Sequence, residues 1–185
     1  MSRPAPALAA LITALGTALA PPAHARTGGI ADLADAAAER ITVSRDVAAA
    51  KWAAGTPIDD PEREAQVLRD TTAQATAAGV PAGTARAVVG DQFEASKILQ
   101  RGLHARWAAH PDLRPRHAPD LAEVRPRLDA ATRRLITALA ASADERTSPA
   151  CTRTTARQAR AAAHRHHLDP LHTAALRRAL ASACG

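Results

Sequence analysis

The chain has 185 residues, 50 of them Ala, so Ala makes up well over half of the 46% counted as hydrophobic. With 9 Gly, no Tyr, one Phe and few Val or Ile, it lacks the β-branched and aromatic material of a sheet core, which excludes an all-β or doubly wound fold and points to one modest all-α domain. The excess of 24 Lys+Arg over 18 Asp+Glu gives a net charge of +6, which favours anionic partners or substrates without the density of a dedicated nucleic-acid tail.

Arg3 precedes an apolar run from Ala7 to Ala20, which Pro21-Pro22 breaks ahead of Ala23-His24-Ala25. This layout predicts a secretory leader over residues 1–25, cleaved after Ala25. The run is shorter than the ~20 apolar residues of a membrane span, which argues against stable membrane insertion. No Cys occurs before Cys151 to accept a lipid, and a lone Arg3 is not a twin-arginine signal. The expectation is an exported domain over residues 26–185, secreted or periplasmic.

Ile30, Leu33, Ala37, Ile41, Val47 and Ala48 recur at helical spacing up to Ala54, and Gly55-Thr56-Pro57 ends this first helix. Asp60-Pro61 starts a second, with Asp as N-cap, Glu62 in the first turn and Gly79 as terminator. A third runs from about Pro81 to His110 with Val88, Val89, Phe93, Ser96, Leu103 and Trp107 on one face, and the Pro-rich stretch 111–119 is a connecting loop. Asp120 with Glu123 opens a fourth helix whose buried face carries Leu121, Val124, Leu128, Leu135 and Leu139, with Pro126 inside it as a source of a kink. Ser148-Pro149 and Asp169-Pro170 start a fifth helix to about His167 and a sixth to about Ala183. The predicted fold is a single-domain bundle of about six helices.

Cys151 and Cys184 lie at similar distances from the Leu168-Asp169 turn, so an antiparallel fifth and sixth helix bring them together at the open end of a hairpin. In an exported protein such a pair reads as a disulfide, whereas a catalytic thiol needs a free Cys with a basic partner.

Arg40 and Lys51 are eleven residues apart, three helical turns with an offset of only ~20°, so both point from the stripe that carries the apolar residues. Two inward cations call for an anion. Ile58, Asp60, Arg63 and Glu64 then gather around the electropositive start of the second helix. Ser96 and Gln100, one turn apart, offer neutral hydrogen bonds from the face that bears Phe93 and Leu103. Singly, each has an ordinary explanation as a solvated charge, an N-cap or a polar position at a helix edge.

In order, Arg40, Lys51, Asp60, Arg63-Glu64, Ser96 and Gln100 form a pattern that resembles the all-helical, type II chorismate mutases. The strings AAAERI, AAAKW, PIDDPERE and DQFEASKILQ resemble in particular the secreted, single-domain subclass, and the similarity runs from about Ile30 to Cys184. The resemblance implies a complete active site in one chain, usually within a homodimer, and the rearrangement of chorismate to prephenate. That step is unimolecular and pericyclic and uses no cofactor, metal or covalent intermediate. The substrate is a dicarboxylate held in a compact shape while negative charge grows on the breaking ether oxygen, so positioning and electrostatics are the available levers. By this resemblance Arg40 and Arg63 bind carboxylates, Lys51 reaches a carboxylate and the ether oxygen, and Gln100 donates to that same oxygen. Glu64 and the region of Asp60 take the substrate hydroxyl, Ser96 supports a carboxylate, and Arg125 reaches in from another helix. Pro126 beside Arg125 leaves Arg127 as an alternative, and Val67 stands where some secreted relatives carry a polar residue. Because Gln100 is neutral, turnover is expected not to require a protonated carboxylic acid.

The contrasting reading is a non-enzymatic exported helical module that binds anionic polymers or a partner protein through a basic face. It needs the cations spread over the surface, whereas the enzyme needs Arg40, Lys51 and Arg63 converging on one pocket roofed by Gln100. His164, His166, His167 and His172 have no acid or Cys ligand at metal spacing, so no metal is expected. The basic run from Arg153 to His167 lacks aromatic partners for nucleic acid and reads as a solvated face.

Overall fold

The computed structural model describes residues 29–185, and the predicted leader with its cleavage after Ala25 lies outside them. The elements are α1 (Ile30–Ala54), α2 (Pro61–Ala77), α3 (Ala82–Ala109), a 3-10 turn (Pro111–Leu113), α4 (Leu121–Ala141), α5 (Ala143–Arg146), α6 (Cys151–Arg165) and α7 (Pro170–Ala179). The described residues contain no strand.

Local chemistry sets most helix ends. The carboxylate of Asp60 accepts from the Arg63 N–H at 3.1 Å with Pro61 in the first turn, and Asp169 accepts from the His172 N–H at 2.8 Å ahead of Pro170. Gly55 stops α1 in the left-handed region at φ 64, where its N–H bonds the Lys51 and Trp52 carbonyls.

Three boundaries differ from the sequence expectation. The chain breaks at Ser142, whose buried hydroxyl donates to the Leu139 carbonyl, and adds the four-residue α5, making seven helices. Ser148-Pro149 does not open α6: Ser148 accepts from the Ala150 N–H at 3.2 Å and closes a turn, and the helix begins at Cys151. The last helix ends at Ala179, because Ser182 is drawn aside when its N–H donates to the Asp91 carboxylate at 2.6 Å. Through Pro126, α4 runs unbroken from Leu121 to Ala141. The lost hydrogen bond falls near the exposed start of the helix, where water can take the freed carbonyl.

Helix α1 is the spine. Its Ala-rich stripe (Ala34, Ala37, Ala38, Ala48) is fully buried and lets α4, α3 and α6 pack against it. Large side chains at the contacts, among them Leu33, Ile41, Leu99, Leu135 and Leu176, each contribute ~1.5–3 kcal/mol by burial. On the far side α3 packs on α7, with Gly102 lying under the Leu171 methyls, where a Cβ would come within 2.7 Å. Buried Asp91 accepts from Arg178, and Gln92 donates to the Ala179 carbonyl at 2.8 Å, so the end of α7 is latched to α3.

Cys151 and Cys184 form a disulfide with Cα atoms 5.9 Å apart. The bridge closes a loop of 33 residues, which in the chain-entropy account is worth about 4 kcal/mol. Reduction is therefore expected to lower the unfolding free energy by about that amount, read from denaturant titrations, with kcat retained because neither cysteine lines the cavity described next. A loss below about 1 kcal/mol would remove chain entropy as the explanation.

Candidate active site

Helices α1 to α4 surround a cavity of ≈ 460 Å³, within the ~300–1,000 Å³ of small-molecule sites. Arg40 and Lys51 enter from α1, Asp60, Arg63 and Glu64 from the start of α2, Ser96 and Gln100 from α3, and Arg125 from α4. One chain brings all eight sequence-predicted side chains together. Val47, Val67, Phe93, Val124 and Leu128 supply apolar wall between them.

The helical stripe that buries Ala37 and Ile41 also buries Arg40, which is 7% exposed. Its guanidinium donates to the Thr132 hydroxyl, and that hydroxyl donates in turn to the Leu128 carbonyl at 2.7 Å. Burial lowers the Arg40 pKa to about 10, with Asp129 acting in the opposite direction, so it remains a cation at neutral pH. Lys51 donates to the Ile58 carbonyl at 2.7 Å. Desolvation lowers its pKa below the usual lysine range, opposed by the charges of Asp60, Glu64 and Asp59. Arg63 and Arg125 make no ion pair among the described residues. Six cations line the cavity (Arg40, Lys51, Arg63, Lys97, Arg125 and Arg133) against the four carboxylates of Asp60, Glu64, Asp70 and Asp129, and this excess favours an anionic occupant.

Gln100 is 4% exposed and forms the roof. Its Nε2 donates to the Ser96 hydroxyl at 3.0 Å, and its buried Oε1 has no partner among the described residues. Turning the amide over lets Ser96 donate to Oε1 and presents Nε2 to the cavity as a free donor, a switch that the hydroxyl tolerates because it both donates and accepts.

At the other wall Glu64 accepts from the Asp60 N–H at 3.4 Å and pairs with Lys97 at 3.0 Å. Lys97 also lines the cavity and pairs with Glu94 at 2.7 Å. Sequence reasoning passed over Lys97 and Thr132. The signal for Lys97 is its position one turn beyond Phe93 on the cavity face of α3, and for Thr132 its position one turn beyond Leu128 on α4. Between the two candidate arginines of α4, Arg125 lines the cavity, whereas Arg127 is drawn to Asp46 on α1 at 2.6 Å.

Two of the four clustered histidines face carboxylates: His166 lies 3.2 Å from Asp35 on α1, and His172 lies 2.7 Å from its own cap Asp169. Among the described residues no group of three or more His, Cys, Asp or Glu is arranged to hold a metal.

Residues 31–101 match the family Chorismate mutase type II. The chain is 34% identical over 152 residues to a secreted chorismate mutase of Mycolicibacterium smegmatis, covering 82% of this chain and 84% of that one. It is 32% identical over 177 residues to the secreted chorismate mutase of Mycobacterium tuberculosis, covering 96% and 88%. The crystal structure of a chorismate mutase from Burkholderia thailandensis superposes with a TM-score of 0.79 at 39% identity, covering 84% of this chain and 98% of that one.

Proposed function

The chain belongs to the chorismate mutase family, and from that premise we propose how its own residues carry out the rearrangement of chorismate to prephenate. The observation that carries the reading is the convergence of Arg40, Lys51, Arg63 and Arg125 on one cavity roofed by Gln100. That arrangement favours a dianion and leaves the basic-face binding module without support.

In this reading Arg40 and Arg63 take the substrate carboxylates, Ser96 supports one of them, and Arg125 closes the site. Thr132 holds the Arg40 guanidinium, so part of the ordering entropy is lost on folding, before substrate binds. As the ether bond breaks and the new carbon–carbon bond forms, the electron pairs move within one molecule and no proton is exchanged. The residues therefore act by complementing charge that grows on the ether oxygen. Lys51 keeps two N–H groups beyond the one on Ile58, one for a carboxylate and one for that oxygen, and Gln100 Nε2 adds a neutral donor. Glu64, backed by the Asp60 N–H, accepts from the ring hydroxyl.

The protein is exported in this reading, with residues 1–25 removed after Ala25 and the mature chain secreted or periplasmic. The names of the secreted relatives and the Cys151–Cys184 disulfide support this. No described helix is long and apolar enough to cross a membrane. A homodimer follows from the family resemblance.

The test is an assay of the oxidised chain from Arg26, following loss of chorismate absorbance in the presence of a chelator. Turnover is expected without any added cofactor, and kcat/KM is expected to stay flat between pH 5 and 8 because the amide of Gln100 does not titrate. Above that range it falls as Lys51 loses its proton, and since burial lowers the Lys51 pKa, the fall begins below the pH at which an ordinary lysine titrates. A bound carboxylate favours the ammonium, so kcat should fall at higher pH than kcat/KM. Absence of turnover from the folded, disulfide-bonded protein would defeat the proposal.

A further inference from the structure

Lys97 has no part in the mechanism above, yet its side chain is only 15% exposed and lines the cavity beside Glu64. Its ammonium reaches Glu64 at 3.0 Å, Glu94 at 2.7 Å and Asp59 at 3.9 Å. Asp59 is held from its other side by Arg101, which donates to both carboxylate oxygens at 2.7 and 2.9 Å. Glu94, first, and Glu64 raise the Lys97 pKa above the usual lysine range. With its N–H groups directed at these carboxylates, Lys97 is poorly placed to bind the substrate itself. Its nearest cavity group is Glu64, whose other oxygen is tied only by the 3.4 Å contact from the Asp60 N–H.

A glutamate has three rotatable bonds, and Glu64 stands close enough to Lys51 for their charges to interact. Left untied, its carboxylate can turn away from the substrate's ring hydroxyl. We propose that Lys97 is a positioning residue that sets specificity: by anchoring one oxygen of Glu64 it aims the rest of that carboxylate at the substrate's ring hydroxyl. The proposal rests on the reading that Glu64 receives that hydroxyl. It predicts that selection for a hydroxyl-bearing ring depends on a residue that does not touch the substrate.

The experiment compares chorismate with its analogue in which the ring hydroxyl is replaced by hydrogen, using wild type, Lys97→Met, Lys97→Arg and Glu64→Ala. Lys97→Met should lower kcat/KM for chorismate by about 10- to 100-fold, the scale of a hydrogen bond to a charged group. Most of the change should appear in KM, and the analogue should change by less than about threefold, so discrimination between the two collapses. Lys97→Arg, which can still donate to Glu64, should restore most of the discrimination. An equal loss for both substrates, or no loss for either, would overturn the role of Lys97 while leaving that of Glu64 standing. If Glu64→Ala keeps full discrimination, the hydroxyl lies elsewhere and the underlying reading of Glu64 fails with it.

Discussion

Replacing Lys51 with alanine is expected to lower kcat/KM for chorismate by about a thousandfold or more, with the fold retained. Removing one neutral donor from a preorganised oxyanion site costs about 10²–10³ in rate, and Lys51 contributes a full charge that burial has partly desolvated. The loss should appear mainly in kcat, because the ether oxygen is far more negative in the transition state than in bound chorismate. A smaller rise in KM would report a substrate carboxylate on Lys51 as well. Folding should be nearly unaffected: burial already disfavours the ammonium, and the Ile58 carbonyl that it bonds sits in a partly exposed loop. Lys51→Arg should not rescue, since a planar guanidinium cannot place donors on a carboxylate and the ether oxygen as a compact ammonium does. Steady-state kinetics with circular dichroism on the same samples checks both halves. A folded Lys51→Ala protein within tenfold of wild type would remove Lys51 from the catalytic groups.

The second large effect is a reversal of pH dependence in Gln100→Glu. The new carboxyl keeps the shape of the amide, but in its ionised form it has no donor for the ether oxygen and repels the charge that grows there. At neutral pH the rate should fall by about 10²–10³, the scale of losing one donor. Protonation restores an O–H donor. The variant should therefore gain activity as pH falls, rising about tenfold per pH unit above the carboxyl's own pKa, whereas wild type is flat over the same range. Burial of position 100 favours the neutral acid, while Lys51 and Arg40 on the same cavity favour the carboxylate. The midpoint of the pH–rate profile measures that balance. A variant that is as pH-independent as wild type would mean that position 100 does not face the reacting oxygen.

Much of this architecture is written in short-range chemistry. Asp60-Pro61 and Asp169-Pro170 start helices, and Gly55 and Gly79 stop them, because each acts on hydrogen bonds within its own turn. The eleven-residue step from Arg40 to Lys51 places two cations on one side of one helix, and rigid helical geometry carries that placement into the folded protein. The same local rules misplace the start of α6, since Ser148 can cap a turn as readily as a helix, and they miss α5, whose four residues are too few for a period.

Other features depended on contacts between distant parts of the chain. Arg125 and Arg127 flank the buried stripe of α4 on opposite sides, so periodicity treats them alike. Packing separates them, turning one flank toward the cavity shared with α2 and the other toward Asp46 on α1. Arg40 is held by Thr132, 92 residues away, and Lys97 by Glu64, 33 residues away. The sequence by itself determined an all-helical chain, most of its helix ends and the side chains able to hold a dianion. Only the tertiary structure decided which arginine of α4 lines the cavity, what holds Arg40 in place and that Lys97 pairs with Glu64. Helical spacing defines directions about one axis, whereas these outcomes depend on how that axis is turned against its neighbours.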